Sequence, residues 1–362
     1  MIGYSGFSCA DLGITNPVMT KLEPNLRYYD VRKIPEFRIY GIMDSEDAGA
    51  FVRMPEDIAK LTNPGLVFNN TCTAGGRIRF VTDSDYIAVR VTHDNSLMYR
   101  DMSAYAASGL DVYMSRYGRP VFLGNIKPPT VINGAYGGML LNELPKGRKE
   151  ITLYTPGFNI VTDLYIGLDS TGELSAHPDY KVEQPIIYYG SSITHGACAS
   201  RPGLAYPSII SRRYDVNFIN LGFSGSARAE DAMIDYLAAL DPSVFVLDYD
   251  YNAPTPEYLR NTHEKLYLAF RKKHPNTPVI IVSRPVFKHL DADAEERRKI
   301  VFDTYKNADD RREKVVYVDG YGICCGYDRD DCTVDGVHPN DLGMMRMADA
   351  IGQAVDYALS IR

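Results

Sequence analysis

Four short segments, far apart in the chain, carry the side chains that acyl transfer needs: Tyr189-Gly-Ser-Ser-Ile-Thr-His-Gly196, Asn220-Leu-Gly-Phe-Ser-Gly225, Asp250-Tyr-Asn-Ala253 and Asp335-Gly-Val-His338. That chemistry calls for a hydroxyl nucleophile, an imidazole to take its proton, an acid to orient the imidazole, and donors aimed at the developing oxyanion. Ser192 offers the hydroxyl at a strand-to-helix turn, His338 the base, and Asp335 the acid for the far ring nitrogen. The donors are the backbone N–H groups of Ser192 and Gly225 and the side-chain amide of Asn252. Tyr251, Arg284 and Arg201 follow strands or adjoin the nucleophile loop and are candidates to line a substrate pocket.

Taken singly, each residue has a plainer reading. A serine after a strand is ordinarily a turn residue or helix cap, and an asparagine in a turn bonds its own backbone. Gly225 is a turn glycine under either reading. Among the histidines, His195 is the rival base because it lies near Ser192, although its side chain is expected to point away along the following helix. His263 is read on a polar helical face, His274 at a helix end, His289 in a loop past the fourth strand, and His93 and His177 in or beside the first half. Asp248 and Asp250 suggest a carboxylate pair, but without a matching cluster for a metal or for glycoside cleavage a hydrogen-bonded structural role is expected.

The elements that position these residues differ between two halves. From about residue 37 to 168 short strand-like runs are broken by Gly, Pro and Asn/Asp turns: Phe37–Ile42, Arg77–Phe80, Tyr86–Thr92, Leu110–Met114, Glu150–Tyr154 and Asp163–Leu168. Several alternate apolar with polar residues, as half-exposed antiparallel sheets do, which predicts an all-β sandwich or jelly roll over residues 1–180. The polar, turn-rich stretch Asp169–Glu183 marks the boundary.

Beyond it, buried-strand runs (Pro185–Tyr189, Val216–Asn220, Val244–Asp248, Pro278–Val282 and Lys314–Val318) alternate with amphipathic segments near 204–213, 228–239, 256–273 and 292–308, with a last helix from about 341 to 360. This predicts a doubly wound, three-layer α/β domain with a parallel sheet over residues 181–362, of the flavodoxin-like type, with right-handed crossovers. In such sheets the loops at the carboxyl ends of the strands share one face, which brings Ser192, Gly225, Asn252 and the 335–338 loop together.

Composition narrows the function further. A net charge of −7 spread along the chain argues against nucleic acid and anionic membrane as partners, and no apolar run reaches the length of a membrane span. The chain reads as cytoplasmic, or as secreted if a leader precedes it. The six cysteines are irregularly spaced and form no Cys-x-x-Cys pair, so free thiols are expected. Gly320-Tyr-Gly-Ile-Cys-Cys-Gly326 has the wrong spacing for a dinucleotide loop and is read as a plain loop, and Asn69-Asn-Thr71 fits a glycosylation pattern that matters only on secretion. The pattern says nothing of oligomeric state.

The four segments resemble the blocks of the SGNH hydrolases, also called GDSL-type esterases. The family's first block, Gly-Asp-Ser-Leu/Ile-Thr, is matched by Gly190-Ser-Ser-Ile-Thr194, its second-block glycine by Gly225, its third block Gly-x-Asn-Asp by Asp250-Tyr-Asn-Ala253, and its fifth, Asp-x-x-His, by Asp335-Gly-Val-His338. Ser191 stands where the family has Asp, Asp250 where it has Gly and Ala253 where it has Asp; these departures touch loop geometry rather than the groups that move protons. The resemblance implies Ser192 as nucleophile and a carboxylic ester hydrolase without metal or organic cofactor. A β-sandwich ahead of such a domain is similar to bacterial carbohydrate esterases. The expected substrate is accordingly a small-molecule or oligosaccharide ester with a small acyl group, acetyl foremost, with a lipase or thioesterase, or a catalytically silent carbohydrate-binding protein, as the alternatives.

Overall fold

A computed structural model describes residues 1–22, 25–93, 99–129, 134–140, 144–286, 293–326 and 328–362. His289 lies outside the described residues. The chain divides into two compact units, Met1–Val52 with Thr71–Asp179, and Arg53–Asn70 with Tyr180–Arg362. The segment 53–70, which lies within the β-rich half of the sequence, is thus part of the second unit.

The first unit is a sandwich of two antiparallel sheets. One has the order Leu26–Asp30, Asp163–Asp169, Ile87–Thr92, Ala135–Leu140; the other runs Leu174–Ala176, Arg77–Thr82, Lys149–Tyr154, Leu110–Arg116, Arg119–Ile126, with Arg38–Tyr40 also paired to Arg77–Thr82. Alternate side chains from both sheets, among them Ile78, Phe80, Ile151 and Leu153 from one and Val89, Val91, Leu164 and Ile166 from the other, close a common core. The six strand-like runs of the sequence all lie on these strands. Four of these strands lie outside those runs: Leu26–Asp30, Leu174–Ala176, Arg119–Ile126, which buries only its last residue, and Ala135–Leu140, which contains adjacent glycines.

In the second unit five parallel strands, β1 (Val182–Gly190), β2 (Val216–Gly222), β3 (Val244–Asp248), β4 (Val279–Val282) and β5 (Val315–Val318), form a sheet of order β2-β1-β3-β4-β5. Both faces are covered, which is why these strands read as continuous apolar runs. Ile186 and Tyr188 face one layer, helices α1 (Tyr206–Tyr214) and α5 (Asp341–Ser360); Ile187 and Tyr189 face the other, α2 (Asp231–Ala239), α3 (Pro256–Lys273) and α4 (Ala294–Asp310). Met54, Ala59 and Leu66 of the 53–70 segment join this second layer beside Leu221, Phe223 and Met233.

The helices begin where the sequence supplies caps. Thr255 Oγ1 accepts the Tyr258 N–H ahead of α3, with Pro256 at the first helical position, and Asn340 Oδ1 accepts the N–H groups of Leu342 and Gly343 ahead of α5. Each such cap is worth about 1 kcal/mol. Gly320–Ile323, read as loop, instead forms one helical turn, because Asp319 Oδ1 caps it at the Tyr321 N–H. Among the described residues no helix is long and apolar enough to cross a membrane.

Candidate active site

The chain turns sharply after β1. Ser191 caps a single helical turn, Ser192–His195, by accepting the Ile193 N–H at 3.2 Å, and Gly196 closes that turn in the left-handed region, at φ 109°. Ser192 therefore stands at the first helical position, where no preceding carbonyl of the turn can take its N–H. The turn packs hard onto the end of β2: a side chain at Gly222 would collide with the backbone of Thr194 and His195, so glycine is required there by close approach.

Two remote stretches meet. Ser192 Oγ lies 3.0 Å from His338 Nε2, and His338 Nδ1 lies 2.7 Å from Asp335 Oδ2. A carboxylate only accepts, so Nδ1 carries the ring proton and Nε2 is left to accept the serine hydroxyl. Burial alone would raise the Asp335 pKa, but the N–H groups of His338 and Val337 and the His338 ring bond its oxygens and hold it at about 2. It thus remains ionised through the neutral range.

The loop is shaped from within. Gly336 N–H donates to Thr333 Oγ1 at 2.9 Å, Val334 N–H to His338 O at 3.0 Å, and Asn340 N–H to Cys332 O at 3.0 Å. Ser192 itself is buried, at 8 % exposure, whereas the His338 and Asp335 side chains are partly open to solvent.

Gly225 follows β2 with φ +67°, a conformation that favours glycine, and faces open space. Asn252 ends a short 3₁₀ turn after β3, and its Nδ2 donates to Phe223 O at 2.7 Å. An amide nitrogen carries two hydrogens, so this bond fixes the plane of the side chain and leaves a second N–H to give. The turn is anchored by the buried Arg297 on α4, which donates from Nη1 to Asp250 O at 3.1 Å and Asp250 Oδ1 at 3.3 Å, and from Nη2 to Ala253 O at 3.0 Å.

The rival and accessory residues fall as follows. His195 is buried, and the imidazole that reaches Ser192 is that of His338. His263, expected on a polar helical face, is instead buried between α3 and α4, where its Nδ1 meets Thr304 Oγ1 at 2.8 Å and burial pushes its pKa down to about 3. The packing of α4 onto α3 turns an apparently polar face inward. Tyr251 donates its hydroxyl to Pro285 O and sets its ring 5.1 Å from the Arg284 guanidinium; both are half-buried, as is Arg201 at the head of the 202–204 turn.

Asp248, at the end of β3, accepts from Thr194 Oγ1 and Tyr206 Oη, each at 3.0 Å, directly beneath the Ser192–His195 turn. Burial pushes its carboxyl up to about 7, the two bonds offsetting part of that and Asp250 adding to it. Among the described residues no group of His, Cys, Asp and Glu is arranged to hold a metal.

Sequence reasoning missed several residues that this site depends on. Arg297 carried no local signal, and Thr194 and Tyr206 become the partners of Asp248, whose hydrogen-bonded structural role was expected, only once β1, α1 and β3 are adjacent. Arg53, Asn63 and Asn69, which bond the loop after β2, lie well over a hundred residues before it.

Comparisons with known proteins agree with this architecture. Residues 183–356 match the GDSL-like Lipase/Acylhydrolase family, and residues 26–174 match the N-terminus of SGNH-hydrolase-type esterases. Comparison with curated proteins gave no match. Among solved structures the chain is similar to a protein described as a GDSL-like lipase from Bacteroides ovatus, with TM-score 0.83 and 28% identity over 93% of this chain and 99% of that one. It is also similar in fold to the salicylyl-acyltransferase SsfX3 of a tetracycline biosynthetic pathway (TM-score 0.74, 19% identity, 94% and 99% covered) and to a family two carbohydrate esterase from Clostridium thermocellum in complex with cellohexaose (TM-score 0.61, 14% identity, 90% and 100% covered). With both halves matched in order, the chain belongs to the SGNH (GDSL-type) hydrolases and is a carboxylic ester hydrolase.

Proposed function

We propose that this esterase removes small acyl groups, acetyl foremost, from carbohydrates through an acyl-enzyme on Ser192. The hydrogen-bonded chain from Ser192 through His338 to Asp335 carries the reading. As Ser192 Oγ attacks the ester carbonyl, its proton passes to His338 Nε2, and Asp335 stabilises the imidazolium so formed. The carbonyl oxygen, now an anion, takes hydrogen bonds from the N–H groups of Ser192 and Gly225 and the second amide hydrogen of Asn252. Collapse of the tetrahedral intermediate expels the alcohol, which recovers the proton from His338. Water then enters by the same route in reverse and frees the acid.

The sugar is the finer part of the proposal. Tyr251, Arg284 and Arg201 offer an aromatic face and hydrogen-bond donors suited to a polyol, and the fold shared with a carbohydrate esterase makes acetylated oligosaccharides the first substrates to try. Ser192→Ala is expected to lower kcat on p-nitrophenyl acetate by about a thousandfold or more. Unchanged turnover in that variant sinks the mechanism. Faster hydrolysis of octanoyl than of acetyl esters would replace the sugar reading with that of a lipase or thioesterase.

A further inference from the structure

We propose that the 53–70 segment is a clamp on the oxyanion loop, with Asn69, Arg53 and Asn63 as positioning residues for the N–H of Gly225. This rests on the reading of Gly225 and Asn252 as oxyanion donors. Within the loop after β2, successive carbonyls are each taken by a side-chain donor. Gly222 O accepts from Arg53 Nη1 at 2.5 Å, Phe223 O from Asn252 Nδ2 at 2.7 Å, Ser224 O from Asn69 Nδ2 at 3.1 Å and from the loop's own Ser226 Oγ at 3.2 Å, Gly225 O from Arg228 Nη2 at 3.2 Å and Ser226 O from Asn63 Nδ2 at 3.0 Å.

The bond from Asn69 to Ser224 O is the decisive one. Ser224 C=O and Gly225 N–H belong to a single planar trans peptide, so fixing the carbonyl direction fixes the N–H on the opposite side. Asn69 therefore aims the donor without touching substrate. Its own amide is held in turn: Nδ2 also donates to Gly65 O at 2.6 Å, and its backbone carbonyl accepts from Arg53 Nη2 at 2.6 Å.

Arg53 is nearly inaccessible, at 1 % exposure. Besides Gly222 O it donates to Asn220 O at 3.0 Å, and its guanidinium lies 4.5 Å from the centre of the Phe223 ring. Asn70 tethers the base of the segment by accepting the N–H groups of Arg53 and Met54 and donating to Met54 O. Had the segment served packing alone, Met54, Ala59 and Leu66 would suffice; the buried Arg53 guanidinium and Asn69 amide directed at one loop's carbonyls call for a further account. The Asn69-Asn-Thr71 triplet also loses its glycosylation reading, since the Asn69 amide is buried and engaged.

The test uses the full chain with Asn69→Asp, which keeps size but removes both N–H donors, alongside Asn69→Ala and Arg53→Lys. Active sites are titrated with a serine-directed phosphonate so that misfolded protein is not counted. The expected result is a fall in kcat on p-nitrophenyl acetate of about tenfold per active site, milder than the loss of a donor itself. KM should stay within about twofold, the pH profile should not move, and phosphonylation of Ser192 should slow in parallel. Wild-type kcat per titrated site in both Asn69 variants overturns the clamp while leaving the esterase reading intact. Undiminished wild-type-level turnover in Ser192→Ala overturns that reading and the clamp with it.

Discussion

The bonds that shape the loop from Thr333 to Asn340 come from its own neighbourhood: Thr333, Asp335 and Asn340 supply the acceptors and caps, and Asp335 reaches back to the N–H groups of Val337 and His338. The loop from Gly222 to Ser226 is built differently. Of the side chains that hold its carbonyls, Arg228 and Ser226 are local; the others are Arg53, Asn63 and Asn69 from far upstream and Asn252 from the neighbouring strand's turn. One of the proposed catalytic groups is thus presented by a self-contained turn, the other largely by tertiary structure. Perturbing the first should alter proton transfer and little else, whereas perturbing the second should alter transition-state stabilisation without shifting the pH dependence.

The sharpest contrast is expected from Asp335→Asn. With the carboxylate gone, the imidazole loses its orientation and preferred tautomer, and kcat should fall by about a thousandfold. Because the loop is locally built and partly open, the thermal midpoint near pH 7 should move little. A large loss of stability with modest loss of rate would break the comparison. The folded-state pKa of about 2 lies below the ordinary 3.8, so whatever stability this carboxylate contributes is present above pH 4 and is lost only as pH falls toward 2.

Asn252→Ala comes next. It removes a candidate oxyanion donor and one of the bonds to Phe223 O, and kcat should fall about a hundredfold with an unshifted pH profile. Measuring the variant together with Asn69→Ala sharpens the point: both act on one loop, so their effects should combine to less than the product of the two. A strictly multiplicative result would mean that the two amides serve separate ends.

The smallest effect concerns stability beneath the Ser192 turn. Asp248 has a folded pKa of about 7 against 3.8 unfolded, so the folded state holds the extra proton between those values. Its favourable contribution is full below about pH 4 and declines as pH rises through 7. Asparagine keeps an oxygen that can accept from Thr194 and Tyr206 without the charge. The thermal midpoint of Asp248→Asn relative to wild type should therefore rise from pH 5 to pH 8, and a constant difference across that range would remove the carboxyl from the account.

Much of this was legible in the chain before any coordinates. The change from a period of two to alternating apolar runs and amphipathic helices separated the sandwich from the parallel sheet, because side-chain direction follows local backbone geometry. The Asp335-Gly-Val-His338 spacing likewise encodes a turn whose acceptor and donors are near neighbours. His263 was misread for the converse reason: a helix sequence does not disclose that a second helix will cover it.

What the sequence by itself determined, then, is the set of groups that local hydrogen bonds and local periods arrange: the strands, the caps, the serine turn and the acid–base loop. Only the tertiary structure decided how the loop after β2 is braced from outside, because Asn69, Arg53 and Asn63, which reach its carbonyls, are residues whose role depends on the path of the chain through space. A buried carbonyl must find a donor, but nothing in its own stretch of sequence says which distant side chain will supply it.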